Sequence, residues 1–200
     1  MDTIGAVLFG EFELLDVFGP LEAFGHVASF GKCRVITVAE RAGAVPSAQG
    51  PQALADCDFA GCPRVQLLLV PGGIGTRREV ENGRLLDFLR ATSAQAEVVM
   101  SVCTGAGLLA RAGLLDGRRA TTNKRAFEWP VSQGPQVNWV RQARWVEDGK
   151  FVTSSGISAG IDMALAVIAR RYGPDKADAI AVAMEYEWHR DPHWDPFAQG

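Results

Sequence analysis

The segment Glu97-Val-Val-Met-Ser-Val-Cys103-Thr104-Gly105-Ala106-Gly107 runs an apolar, β-branched stretch directly into a cysteine and a cluster of small residues. A helical pattern begins at once beyond it, with Leu108, Leu109, Arg111, Leu114 and Leu115. A buried strand that stops on a nucleophilic side chain and turns sharply into a helix leaves few folds open. Small neighbours let the backbone bend there. The helix N-terminus beyond is expected to lower the thiol pKa from its free value of about 8.5. The chemistry of the chain is therefore sought around Cys103, against the plainer reading of a small residue packed at a strand end.

The same alternation recurs along the chain. Residues 4–9 read as a first buried strand, and a helix entry follows near Asp16, a plausible cap with Pro20 tolerated in the first turn. Residues 35–39 and 65–70 read as further strands, the latter running into Pro71-Gly72-Gly73. Residues 44–58 carry Pro46, Gly50 and Pro51, which suggests turns and a short hairpin. A helical stretch with Leu85, Leu86, Phe88 and Leu89 precedes the cysteine strand. After it, 137–140 and 144–154 resemble strands, the latter with a turn at Glu147-Asp148-Gly149. Residues 159–172 and 174–188 look helical, with Ser158 as a cap for the first. Short apolar strands alternating with helices imply a mostly parallel sheet covered on both faces. No linker or internal repeat divides the chain, so residues 1–200 are expected to form a single domain.

In sheets of this kind ligands bind beyond the carboxyl ends of the strands. The loop with Asp16, the Pro-Gly-Gly loop and the Cys103 turn should therefore converge. Asp16 could hold or relay a proton there, its pKa raised by burial and by a nearby thiolate; otherwise it is a helix cap. Gly72 and Gly73 could point backbone amides at developing negative charge. Thr104 supplies a hydroxyl and an amide at the cysteine turn, and Ile157 could line a pocket or simply pack in the core.

The histidines are His26, His189 and His193, and the residue after Cys103 is threonine. That scarcity weighs against amide hydrolysis by a cysteine–histidine pair. Cys57 and Cys62 have no second pair at zinc-type spacing, so no metal is expected, and Cys33 reads as buried. A net charge of −3 without a dense Lys/Arg cluster gives no footprint for nucleic acid. No apolar run approaches a membrane span, and Met1-Asp2-Thr3 leads straight into a strand-like run, so a cytoplasmic location is expected.

Together these stretches resemble the ThiJ/PfpI superfamily, class I glutamine amidotransferase-like proteins. The resemblance rests on Leu15-Asp16-Val-Phe-Gly-Pro20, Val70-Pro-Gly-Gly73, Ser101-Val-Cys-Thr-Gly105, Gly113-Leu-Leu-Asp-Gly117-Arg-Arg-Ala-Thr-Thr122 and Gly156-Ile-Ser-Ala-Gly-Ile-Asp162. It implies a flavodoxin-like three-layer α/β/α sandwich with a cysteine nucleophile elbow, usually a homodimer. Asp16 combined with Ser-Val-Cys-Thr-Gly is similar to the isonitrile (isocyanide) hydratase branch. That likeness implies Cys103 as nucleophile, Asp16 as its carboxylate partner and Thr104 in contact with the reacting group. It further implies Gly72 and Gly73 as an anion-binding loop, Ile157 near the cysteine, and hydration of an isocyanide through a thioimidate without a cofactor. Asn123-Lys124-Arg125 departs from the pattern, where a histidine and an aromatic are expected, as does the tail with Trp188, His189 and Trp194. Other superfamily members suggest glyoxalase or deglycase chemistry, against which the missing histidine after Cys103 counts. A redox- or ligand-sensing role also stays open; similar domains are fused to helix-turn-helix modules, of which this chain shows none, so a nucleic-acid partner is not expected.

Overall fold

The buried apolar runs become strands in the computed structural model, which describes residues 1–198 and leaves Gln199 and Gly200, the end of the expected 1–200 domain, outside the described residues. The chain begins β1 (Asp2–Val7), α1 (Leu14–Ser29), β2 (Cys33–Ala39), β3 (Gly43–Pro46), β4 (Gln52–Ala55) and β5 (Cys57–Asp58). It continues through β6 (Leu67–Val70), α2 (Thr76–Glu79), α3 (Gly83–Gln95), β7 (Val98–Ser101) and α4 (Gly105–Arg111). Then come β8 (Arg119–Ala120), α5 (Glu128–Gln133), β9 (Asn138–Trp139), β10 (Trp145–Asp148), β11 (Phe151–Ser154), α6 (Ala159–Tyr172) and α7 (Pro174–Ala183).

Seven strands form the central sheet in the order β10-β11-β7-β6-β1-β2-β5. Every pairing in it is parallel except that of β10 with β11. The residues of β6 and β7 are all buried, as continuous apolar strands covered on both faces should be. On one side α1 packs on α6 and α6 on α7; on the other α2, α3 and α5 pack around α4. Gly19 sets the closeness of α1 to α6, since a Cβ there would lie 2.8 Å from Ile161 Cγ1.

Sheet register then places the site. Val70 pairs with Ser101 and Thr153 with Ser101, so the chain two residues on brings Gly72, Cys103 and Ser155 level. The order reverses at β1, whose next loop and helix carry Asp16. This is the crevice at the carboxyl ends where open α/β sheets bind ligands.

Several boundaries differ from the sequence reading. Helix α1 starts at Leu14 with Glu13 at its N-cap, so Asp16 lies in the first turn and is not the cap. Pro20 consequently falls in the second turn, where its ring removes the N–H that would bond the Asp16 carbonyl. Ser158 occupies the N-cap of α6 but its side chain makes no capping bond. Helix α7 stops at Ala183 rather than continuing to 188, because Glu185 adopts a left-handed φ of 48°. Residues 44–58 do hold a hairpin, with β3 antiparallel to β4. No helix among the described residues is long and apolar enough to cross a membrane.

Candidate active site

Cys103 sits between the end of β7 and the start of α4 with φ +57°, a left-handed conformation that a side chain adopts only at a cost. Its neighbours hold it there. The Cys103 N–H donates to Ser155 O at 3.2 Å, and its carbonyl accepts from Thr122 Oγ1 at 2.7 Å. The residue is 6% exposed. Two donors reach the sulfur: the Asn123 Nδ2 amide at 3.2 Å and the backbone N–H of Thr104. The orientation of Asn123 is fixed by its other end, since Ala126 N–H donates to Oδ1 at 2.8 Å.

Asp16 is completely buried, and the Gly72 N–H donates to its Oδ2 at 2.8 Å. Its Oδ1 has no hydrogen-bond partner. Burial is the largest influence on this carboxyl and holds its pKa well above the usual carboxylate range. The neighbouring Cys103 thiol, as distinct from a thiolate whose charge would raise this pKa, favours the ionised carboxyl. The thiol itself is pushed up, first by burial and then by the charge of Asp16. The expected lowering by the helix start is therefore overturned: the Thr104 amide does act in that direction, but desolvation outweighs it.

Gly72 and Gly73 bind the loop after β6 to this pair. A Cβ on Gly72 would lie 2.5 Å from Thr104 N, 2.6 Å from Thr104 Oγ1 and 3.0 Å from Asp16 Oδ2. Gly73 has φ +120°, and its N–H donates to Thr104 Oγ1 at 3.1 Å. Both amides are thus already engaged, one by Asp16 and one by Thr104. Thr76 Oγ1 donates to Gly73 O at 2.7 Å and lies 3.2 Å from Thr104 Oγ1. Ile157 is half-buried in the turn before α6, beside Gly156. A Cβ on Gly156 would stand 3.3 Å from Cys103 Sγ and 2.0 Å from Asn123 Nδ2.

The histidines make their contacts elsewhere. His26 pairs with Glu22 at 3.6 Å near the end of α1, and the ring of His189 stacks against Trp194. His193 engages Asp191 through its backbone. Cys57 and Cys62 are free and touch each other on the far edge of the sheet, and Cys33 is buried. No group of three His, Cys, Asp or Glu side chains among the described residues is placed to hold a metal.

Sequence reasoning missed Asn123 as a contact of the sulfur, and Arg77 altogether. Arg77 Nη1 donates to Thr76 Oγ1 at 3.0 Å while its guanidinium stacks on Trp129, 4.1 Å from the ring centroid. Its charge is within electrostatic reach of Cys103. No local pattern announces either residue, because each reaches the site from a loop or a one-turn helix. Lys124, next to Asn123, turns away to Thr121 Oγ1 at 2.6 Å and faces Asp195 of the tail at 3.9 Å.

A left-handed cysteine between a parallel strand and a helix, with a buried carboxyl and a Gly-Gly loop beside it, agrees with the family comparison. The DJ-1/PfpI family model matches residues 3–170, and the chain belongs to that family. Isonitrile hydratase of Pseudomonas putida is 37% identical over 183 residues, covering 92% of this chain and 78% of that protein. The HTH-type transcriptional regulator GbdR of Pseudomonas aeruginosa is 30% identical over 188 residues, but the chain spans only 51% of its length. Among solved structures, a ThiJ/PfpI family protein from Pseudomonas syringae superposes with a TM-score of 0.84 at 27% identity, covering 94% of this chain and 76% of that one.

Proposed function

We propose that this protein is a hydratase that converts an isocyanide and water into an N-substituted formamide. The observation that carries the reading is the buried pair of Asp16 and Cys103, with Asp16 Oδ1 unpartnered and its carboxyl held basic by burial. A carboxylate of raised pKa is strong enough as a base to take a thiol proton and acid enough to return it. The similarity to isonitrile hydratase supports the substrate class.

As the sulfur lone pair forms a bond to the terminal isocyanide carbon, Asp16 accepts the thiol proton and passes it to that carbon. The carbon lone pair becomes the C–H bond, and a neutral thioimidate remains on Cys103. Water then adds to the thioimidate carbon, and Asp16 relays one of its protons to the nitrogen. Collapse of the tetrahedral adduct forms the carbonyl, and the C–S electron pair returns to sulfur with the hydroxyl proton. Two easier steps replace one difficult hydration.

Thr104 contacts the reacting group, and Ile157 borders the substrate. The Gly72-Gly73 loop acts chiefly by orienting Asp16 and Thr104, whose oxygens its amides hold. The same reading takes 1–200 as one domain working as a cytoplasmic homodimer. Apolar Leu15 and Phe18, 42% and 44% exposed on α1, support a dimer surface, which light scattering would check. A redox sensor needs an accessible thiol of low pKa. Cys103 is buried with its pKa raised.

The test mixes the protein with an aryl isocyanide and follows formamide formation, alongside Cys103→Ala and Asp16→Asn. Turnover by the native protein and its loss in both variants is expected. No turnover over several isocyanides would remove the substrate class.

A further inference from the structure

We propose that Asn123 is a further catalytic residue, whose carboxamide N–H is the fixed donor to the Cys103 sulfur as it gains charge before attack and again as it leaves. The proposal rests on the reading of Cys103 as nucleophile but not on the identity of the substrate. Three features of the structure support it independently.

The first is contact: Asn123 Nδ2 stands 3.2 Å from Cys103 Sγ. The second is orientation. Ala126 N–H holds Oδ1 at 2.8 Å, so the amide cannot flip to present its oxygen to the sulfur without losing that bond. The third is room made for it. A Cβ on Gly156 would fall 2.0 Å from Nδ2, so glycine at 156 is required for the amide to reach the sulfur. The requirement is space alone.

The charged groups facing the sulfur are Asp16 and Glu13 from the start of α1, which oppose a thiolate, and Arg77 of α2, which favours one. Asn123 and the Thr104 amide are the neutral donors among them. A hydrogen bond to a charged group in a buried site is worth about ten- to a hundredfold in the population of the charged form. The amide keeps its proton throughout. It stabilises the electron pair on sulfur when Asp16 takes the thiol proton, and stabilises the same pair when the C–S bond breaks. A histidine at this position would titrate near neutrality, whereas an amide gives the sulfur a donor at every pH.

The experiment is the pH profile of Cys103 alkylation by iodoacetamide in the full chain, followed on the Cys103 peptide by mass spectrometry. Asn123→Ala, Asn123→Asp and Gly156→Ala are compared with the native protein, each checked for its fold by near-ultraviolet circular dichroism. Asn123→Asp keeps an acceptor for Ala126 but replaces the donor to sulfur with a carboxylate oxygen, whose charge adds to the shift. Asn123→Ala and Gly156→Ala therefore measure the donor alone. All three should move the thiolate midpoint up by about one pH unit or more, equal to about tenfold less thiolate at fixed pH. The double variant of Asn123→Ala with Gly156→Ala should shift no further than the larger single. A folded Asn123→Ala with the native midpoint would overturn the proposal. Because alkylation needs no isocyanide, a midpoint shift without isocyanide turnover would count against the substrate class and leave Asn123 in place.

Discussion

Asp16 and Cys103 act on each other in opposite senses: the charge of Asp16 raises the pKa of the thiol, while the thiol, as a donor, lowers that of the carboxyl. Two such groups titrate as a pair, so that ionising one makes the other harder to ionise. On the proposed reading, the thiol proton is the one that Asp16 would relay to the isocyanide carbon.

That relationship separates reactivity from turnover. Asp16→Asn removes the charge that disfavours the thiolate, so alkylation of Cys103 at pH 8 should become faster, by about tenfold. The same variant cannot relay a proton, and isocyanide hydration should fall by about a thousandfold or more. A variant that lost both together would show that Asp16 only shapes the site.

Asp16→Asn should also stabilise the fold. A carboxyl whose pKa is raised on folding contributes stability that is whole below its unfolded value near 3.8 and is lost as pH rises through the folded value. Asparagine has no such loss and keeps an acceptor for the Gly72 amide. Thermal unfolding at pH 7.5 should shift upward by at least about 2–4 °C, with the gain vanishing near pH 3. An equal gain at both pH values would contradict the linkage.

Gly72→Ala should destabilise the protein by about 1–3 kcal/mol and abolish turnover, since its Cβ would press on both Thr104 and Asp16. Urea unfolding and formamide assays check both effects. Thr104→Val leaves the buried Gly73 N–H without its acceptor, at a cost of about 1–3 kcal/mol, and Thr104→Ser should restore most of it.

The tail offers a fourth test. Burial lowers the pKa of Lys124 to about 8, and its nearest charge is the fully buried Asp195. A lysine pKa depressed on folding makes stability rise with pH between about 8 and the unfolded value of 10.5. Lys124→Met and Asp195→Asn should each destabilise by more than their combination does, by about 0.5–3 kcal/mol of coupling in a double-mutant cycle.

Much of this molecule is legible in its residues because the strands are buried on both faces. Leu67–Val70 is apolar throughout and Val98–Ser101 is apolar up to its last residue, and the small residues after Cys103 mark the junction with α4. Less legible are features fixed by contacts distant in sequence. The start of α1 at Leu14 gives no capping side chain to read, and the end of α7 depends on the left-handed Glu185. Asn123 reaches the sulfur only because Gly156, 33 residues on, leaves space for it. The direction of the Cys103 pKa was also hidden, since a helix start favours a thiolate and only the depth of burial reverses the balance.

The most direct test of the account is intact-mass measurement of the protein quenched in acid during turnover of an aryl isocyanide. The account predicts an adduct equal to one isocyanide, mapped to Cys103, absent from Cys103→Ala and strongly reduced in Asp16→Asn. Formamide production by Cys103→Ala at the native rate, with no adduct in the native protein, would contradict it.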